Sequence, residues 1–347
     1  MKHVLLIPSR TQRPTIMSAR LFSFATAAVL FCGVLPAKAA DPQMLTLVMP
    51  DAQVVAGINV QQAMLTPFGQ YVLSLIAPQS QQLQGLASVT GFNPATDVTE
   101  LLVASTGAPA HTALALARGT FDPAKILAAA AQAGAITETY GGLTILEPKP
   151  APAGTATATT MTTPPPTPGL VFFDATLAVM GDVPSVKAAI DRRTAPAVLP
   201  SALMAQVNQW SLSEDAWVVD TAPIASLNLP AGAPKLPGGA QITAFQAVQQ
   251  AAGGVKFGTI VIVTTKAQTD TAQDATALAG ILQFVANLAQ AQASQTPASA
   301  ALLKSLTVTA TGTTVNLTLS LPEAQIEQLV QQGGATTQSQ RRPARKM

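Results

Sequence analysis

The chain has 347 residues, of which 48% are hydrophobic, 10% charged and 4% aromatic, and its formal net charge is +2. Five of its 19 basic residues and none of its 17 acidic ones fall in the first 39 positions, so the remainder carries 14 bases against 17 acids, a net charge of −3. Four of those bases (Arg341, Arg342, Arg345 and Lys346) crowd the C-terminus, and the body, at −7 without them, lacks the basic face that a nucleic-acid binder needs.

Residues 21–35 form a fifteen-residue apolar run behind Arg20 that ends at Pro36-Ala37-Lys38-Ala39, a small-x-small pattern of the kind that follows a secretory signal. The run is shorter than the ~20 apolar residues of a membrane span. Residues 1–39 are therefore expected to be a signal peptide cut before Ala40, with Met17 as an alternative start. Acylation at Cys32 is disfavoured by the bulky Leu30 and Phe31 before it, and uncleaved anchoring is the other alternative. Cys32 is the only cysteine, so no disulfide can staple the residues that follow, and apolar burial must hold them. No stable membrane span is expected after cleavage, because the best later stretch, 278–288, is interrupted by Gln283 and Asn287.

In chain order, residues 54–60 read as a buried strand. Thr66-Pro67 then opens a helix whose Phe68, Tyr71, Val72, Leu75 and Ile76 share one face, and a second helix covers 79–89 and stops at Gly91. Strands at 101–104 and 113–117 are joined by a turn at 107–110, and Asp122-Pro123 caps a helix reaching about Gln132. Strands at 136–140 and 143–146 flank Gly141-Gly142, whose two glycines suit a two-residue hairpin turn. Residues 148–168, rich in Pro, Thr and Ala, read as a disordered insertion. A hairpin follows over 170–180 with its turn at 174–176, and then a helix starts near Pro184 with Val186, Ala189 and Ile190 on its apolar face.

The second half replays this order. Asp215-Ala216-Trp217-Val218-Val219 matches Asp51-Ala52-Gln53-Val54-Val55 at four of five positions. A strand at 258–264 precedes a helix from Asp270 with Leu278, Ile281, Leu282, Val285 and Leu288 in one stripe, and the hairpin 306–320 leads into a helix at Pro322. The expected class is α+β: two similar lobes, each an antiparallel sheet with helices on one face, related by duplication. Lobe 1 spans 40–200 and lobe 2 spans 201–335, separated by the Pro-bearing 194–200 and followed by a disordered basic tail, 336–347. The run 229–239, rich in Pro and Gly, makes a second break.

Candidate chemistry is sparse. His111 is the only histidine after the signal and falls in a predicted turn without a Ser or Asp partner at a useful spacing. Glu214, Asp215 and Asp220 are the densest acids, beside Trp210 and Trp217. A glycosidase needs two carboxyls across a sugar cleft, whereas these read as a solvated strand entry with adjacent acids on opposite faces and Trp217 in the core. Asp97 and Glu100 follow a turn begun by Asn93-Pro94, where Asp97 bonds local backbone and Phe92 packs. Neither GxGxxG nor GxxxxGK[ST] occurs, and the sequon Asn316-Leu317-Thr318 lies within a predicted strand. No catalytic residue, metal ligand or cofactor is assigned.

The landmarks Gly91-Phe92-Asn93-Pro94 with Asp97, Arg118-Gly119-Thr120-Phe121-Asp122-Pro123, Tyr140-Gly141-Gly142-Leu143 and Leu177-Ala178-Val179-Met180-Gly181-Asp182 resemble those of uncharacterised secreted bacterial proteins known as domains of unknown function. The resemblance covers roughly residues 51–193. It implies secretion and an α+β fold and carries no catalytic residues. The expected function is a non-enzymatic binding or structural role in the bacterial periplasm, envelope or exterior, with an envelope ligand or protein as partner and no nucleic acid. The alternatives are a carboxylate-dependent hydrolase of envelope glycan, using Glu214, Asp215 or Asp220, and a chaperone-like factor for exported proteins.

Overall fold

A computed structural model describes residues 40–67, 89–107, 112–148, 167–223, 245–292 and 304–325. The expected signal peptide, the helices expected over 68–88, His111, the run 229–239 and the basic tail lie outside these residues, as does nearly all of the 148–168 insertion.

Twelve strands form one antiparallel sheet: β1 (Val54–Asn59), β2 (Val98–Ser105), β3 (Ala113–Gly119), β4 (Ile136–Tyr140), β5 (Leu143–Glu147), β6 (Pro168–Phe172), β7 (Leu177–Asp182), β8 (Ala216–Asp220), β9 (Val248–Lys256), β10 (Ile260–Thr269), β11 (Leu306–Thr311) and β12 (Thr314–Pro322). Their spatial order is β11-β12-β10-β9-β8-β1-β2-β3-β7-β6-β5-β4. The two expected sheets are thus continuous, because β1 and β8 pair over Val54↔Asp220 to Ile58↔Ala216. Outward from that seam each half runs through a meander (β2-β3 or β9-β10) and then a returning hairpin (β7-β6 or β12-β11), and β5-β4 extends the first half.

Local chemistry accounts for most of the connections. Gly141 and Gly142 take φ of 54° and 77° in the β4–β5 turn, a conformation that costs glycine no steric penalty. The Asp174 carboxylate accepts from the Thr176 backbone N–H at 2.6 Å and shapes the β6–β7 turn. Seven helices accompany the sheet among the described residues: α1 (Pro42–Leu47), α2 (Val60–Met64), α3 (Pro94–Asp97), α4 (Pro123–Gln132), α5 (Val183–Asp191), α6 (Ser201–Ser213) and α7 (Ala272–Gln292). Asp122 and Asp182 cap α4 and α5 by accepting from Lys125 and Ser185 backbone N–H groups, with a proline in the first turn of each.

Helices cover both faces, which corrects the expectation of helices on one face. On the first face, α1, α5 and α6 bury Met44, Val186, Ile190, Leu203, Val207 and Trp210 against Val55, Leu102, Leu114, Val179, Trp217 and Val219. On the second, Ile126 of α4 packs with Ala178, and Leu278 of α7 packs with Val308 and Val315. Strand alternation supplies this division, since Val179 and Ala178 are neighbours with opposite outlooks. Between Gln268 and Thr269 the β9–β10 register slips by one residue, so Val248 turns to α7 while Gln250 faces the other way.

Two elements depart from the sequence reading. The α7 stripe is buried only at its start: Leu278 is 2% exposed, but Val285 is 37% and Leu288 47% exposed. The 21-residue helix, about 31 Å long, overruns the six-residue β11, about 20 Å. Strand β9, with the sequence VQQAAGGVK, has little intrinsic β preference and owes its conformation to pairing on both sides with β8 and β10.

Trp217 faces Gly57 across one strand pair and Gly254 across the other, so neither neighbour crowds it with a side chain. A Cβ at residue 57 would meet the Trp217 ring at 2.5 Å, and the ring is only 5% exposed. Gly57→Ala is therefore expected to destabilise the fold by about 1–3 kcal/mol through overpacking. A urea midpoint unchanged from wild type would contradict this packing.

Candidate functional site

A groove of about 210 Å3 opens on the first face between α6 and strands β8, β9, β10 and β12. It exists because the helical cover stops there. Trp210 closes the dry core, and beyond it the strands alternate strictly: Thr314, Asn316, Thr318 and Ser320 of β12 face the groove side, while Val315, Leu317, Leu319 and Leu321 face the other. Residues paired across strands bring Gln250, Gln268 and Thr314 into one row, and Ala252, Lys266 and Asn316 into the next. Helix α6 adds Gln206 and Gln209 from the opposite wall.

The amides in the groove are partly committed. Gln206 Oε1 accepts from Trp210 Nε1 at 3.3 Å, and Gln268 Oε1 accepts from Gln250 Nε2 at 2.8 Å. The Lys266 ammonium lies 5.6 Å from the centroid of the Trp210 ring, in reach of its negative face. Among the described residues Lys266 has no carboxylate within ion-pair distance.

The acids named from the sequence go elsewhere. Asp220 borders the groove, but it alternates with Val219 and its Oδ1 accepts from the Ala222 backbone N–H at 2.8 Å; burial raises its pKa and that bond opposes the rise. Glu214 ends α6, and its stem lies over Gly254, where a Cβ would collide with it. Asp215 is 1% exposed and held by three backbone contacts: its N–H donates to Val255 O at 3.1 Å, its carbonyl accepts from Asn59 N–H at 3.0 Å and its Oδ2 accepts from Phe257 N–H at 3.2 Å. Glu214 Oε2 and Asp215 Oδ1 are buried without a hydrogen-bond partner among the described residues.

These two acids are therefore no solvated strand entry, because glycine at 254 opens a slot that half-buries the Glu214 side chain and takes its Oε2 out of water. Burial pushes the Glu214 carboxyl up to about 7, against the attraction of Lys256, with neighbouring Asp215 adding to the rise. Burial pushes Asp215 up to about 6, opposed by the Phe257 N–H and by Lys256. Asp220 lies five residues further along an extended strand, about 16 Å from Asp215, beyond the roughly 5–9.5 Å that a glycosidase pair requires. The three acids do not form one constellation.

Asp97 and Glu100 hold structure. Asp97 Oδ2 accepts from the Asn93 backbone N–H at 2.7 Å, and Phe92 packs 5.8 Å from Phe121, both as the sequence suggests. Glu100 Oε1 accepts from the Asp41 backbone N–H at 3.1 Å, and Arg118 bridges Asp41, Gln43 and Thr176, fastening α1 to the sheet. Asn316 of the sequon lines the groove from within β12. Apart from Asp220 and the sequon's Asn316, the groove residues were not anticipated as a site; the available signal was the polar set at alternate positions along 264–268 and 314–320.

No protein-family model, no curated protein and no solved structure matches the chain.

The raised carboxyls fix a pH dependence. The native state keeps Glu214 and Asp215 protonated where the unfolded chain, with ordinary values of 4.5 and 3.8, has released its protons. Their contribution is complete below about pH 4 and is lost as the pH rises through 6 and 7. Urea midpoints are expected to fall between pH 4.5 and pH 8, and Glu214→Gln is expected to exceed wild type at pH 8 by roughly 1–2 kcal/mol after solvent screening. A wild-type midpoint that rises over that interval would contradict the assignment.

Proposed function

We propose that the chain is an exported protein of the bacterial envelope or periplasm that binds a polar ligand in the α6–β10–β12 groove and does not transform it. The carrying observation is the groove's chemistry: Gln206, Gln209, Gln250, Gln268 and Asn316 line it. Amide side chains present donors and acceptors, as sugar hydroxyls and peptide groups do, but exchange no proton at neutral pH. At 210 Å3 the groove is smaller than a drug-sized pocket and suits one ring or one residue of a larger envelope molecule.

A second reading, hydrolysis of envelope glycan, draws on half-buried Glu214 and buried Asp215, two adjacent carboxyls with raised pKa values. Its variant test is Glu214→Gln, which would abolish such an activity while leaving groove binding intact.

We further propose that the two halves descend from one duplicated unit. The support is that the outward strand order repeats on both sides of the seam, and that Val55 and Val219, the last residues of the matched pentapeptides, face each other directly in the β1–β8 pair.

Thermal denaturation with a panel of soluble envelope saccharides tests the binding reading. A ligand at one hundred times its Kd adds about 2.7 kcal/mol, which is expected to raise Tm by several degrees and to vanish in the Gln250→Ala/Asn316→Ala double variant. A panel that leaves Tm unchanged, or a shift that survives the double variant, would contradict it.

A further inference from the structure

The groove's free hydrogen-bonding groups are not balanced between donors and acceptors. Gln206 and Gln268 have their carbonyl oxygens engaged, by Trp210 Nε1 and by Gln250 Nε2 respectively, so the ends left for a ligand are both amide NH2 groups. Lys266, the cation of the groove, adds an ammonium with three N–H bonds. It is half-buried in β10, and in place of a carboxylate it has the face of Trp210. A half-buried ammonium beside two amide donors presents a local positive potential that no carboxylate among the described residues pairs with.

From this geometry we infer that Lys266, Gln206 and Gln268 seat an oxyanion of the ligand, and that the ligand class is a sugar acid whose carboxylate lies on Lys266. This deepens the binding reading above and rests on it. Charge-assisted N–H···O bonds to an ionised oxygen are about twice as strong as neutral ones. The remaining lining suits hydroxyl groups: the Gln250 carbonyl accepts, and Thr314 and Asn316 can both donate and accept. The Trp210 ring, 5.6 Å from the Lys266 ammonium, holds that charge at the wall of the groove, so Trp210 acts here as a positioning residue.

The test is calorimetric titration of the full chain after signal removal with glucuronic acid, glucose 6-phosphate and glucose. Glucuronic acid is expected to bind more tightly than the other two, with an affinity that weakens as NaCl is raised. Lys266→Met, which keeps an unbranched stem over Trp210, is expected to weaken glucuronic acid at least tenfold and leave glucose unchanged, whereas Lys266→Arg stays within a few-fold of wild type. Circular dichroism and Tm confirm that both variants fold. Equal glucuronic acid binding by wild type and Lys266→Met would overturn the inference, and tighter binding of glucose 6-phosphate would overturn the carboxylate assignment. Neutral saccharides that raise Tm through Gln250 and Asn316 while Lys266→Met changes nothing would defeat this inference alone. Failure of every saccharide would defeat the binding reading with it.

Discussion

The pairing of β1 with β8 is the constraint on which the rest of the structure depends. It joins strands more than 150 residues apart, and it places Val55, Val219 and Trp217 in one core, each 5% exposed or less. Tight strand approach around a large indole is possible only because residue 57 is a glycine, and glycine at 254 makes room for the Glu214 stem beside it. With this seam closed, α6 descends onto β8 and β9, the first-face core becomes continuous from α1 to Trp210, and the β9–β10–β12–β11 group is carried as an extension of the first half.

The groove is a consequence of that extension. In the first half, α1 and α5 keep one face of the sheet dry, while α4 covers only part of the other, where Leu101, Val103 and Met180 stay exposed. In the second, α7 covers one face while α6 covers only the start of the other, and the strands answer with threonine, glutamine and asparagine at every second position. A polar strip beside a closed core thus needs no dedicated loop, and its lysine is held by the indole that seals the core. Half-buried Glu214 and buried Asp215 belong to the seam: they lie where α6 gives way to β8, and Asp215 ties the ends of β1 and β9 together. Their protonation links the tightness of the junction to pH.

What the sequence made legible was local. The Gly141-Gly142 hairpin, the Asp122 cap and the hairpin over 306–320 each depend on a few contiguous residues, so their chemistry can be read directly. Strand β9 could not be read, because its alanines, glycines and glutamines form a strand only between two partners. The single sheet was hidden for the same reason, since nothing local to residues 54–58 names 216–220 as a neighbour; even so, the repeated pentapeptide lay at the seam. Helix α6 carried a visible signal in Leu203, Val207 and Trp210 at helical spacing, overshadowed by the prolines before it. The site was least legible of all. Its side chains come from five elements separated by up to 110 residues, and glutamines are unremarkable until the fold aligns them.

Hydrogen–deuterium exchange of the full chain, followed by mass spectrometry of peptides covering 54–58 and 216–220, tests the seam most directly. If β1–β8 pairing welds the halves into one cooperative sheet, both peptides belong to the slowest-exchanging set and open together, only with global unfolding. Early exchange of either peptide while β2–β3 and β9–β10 stay protected would show two independently folding units and contradict the account.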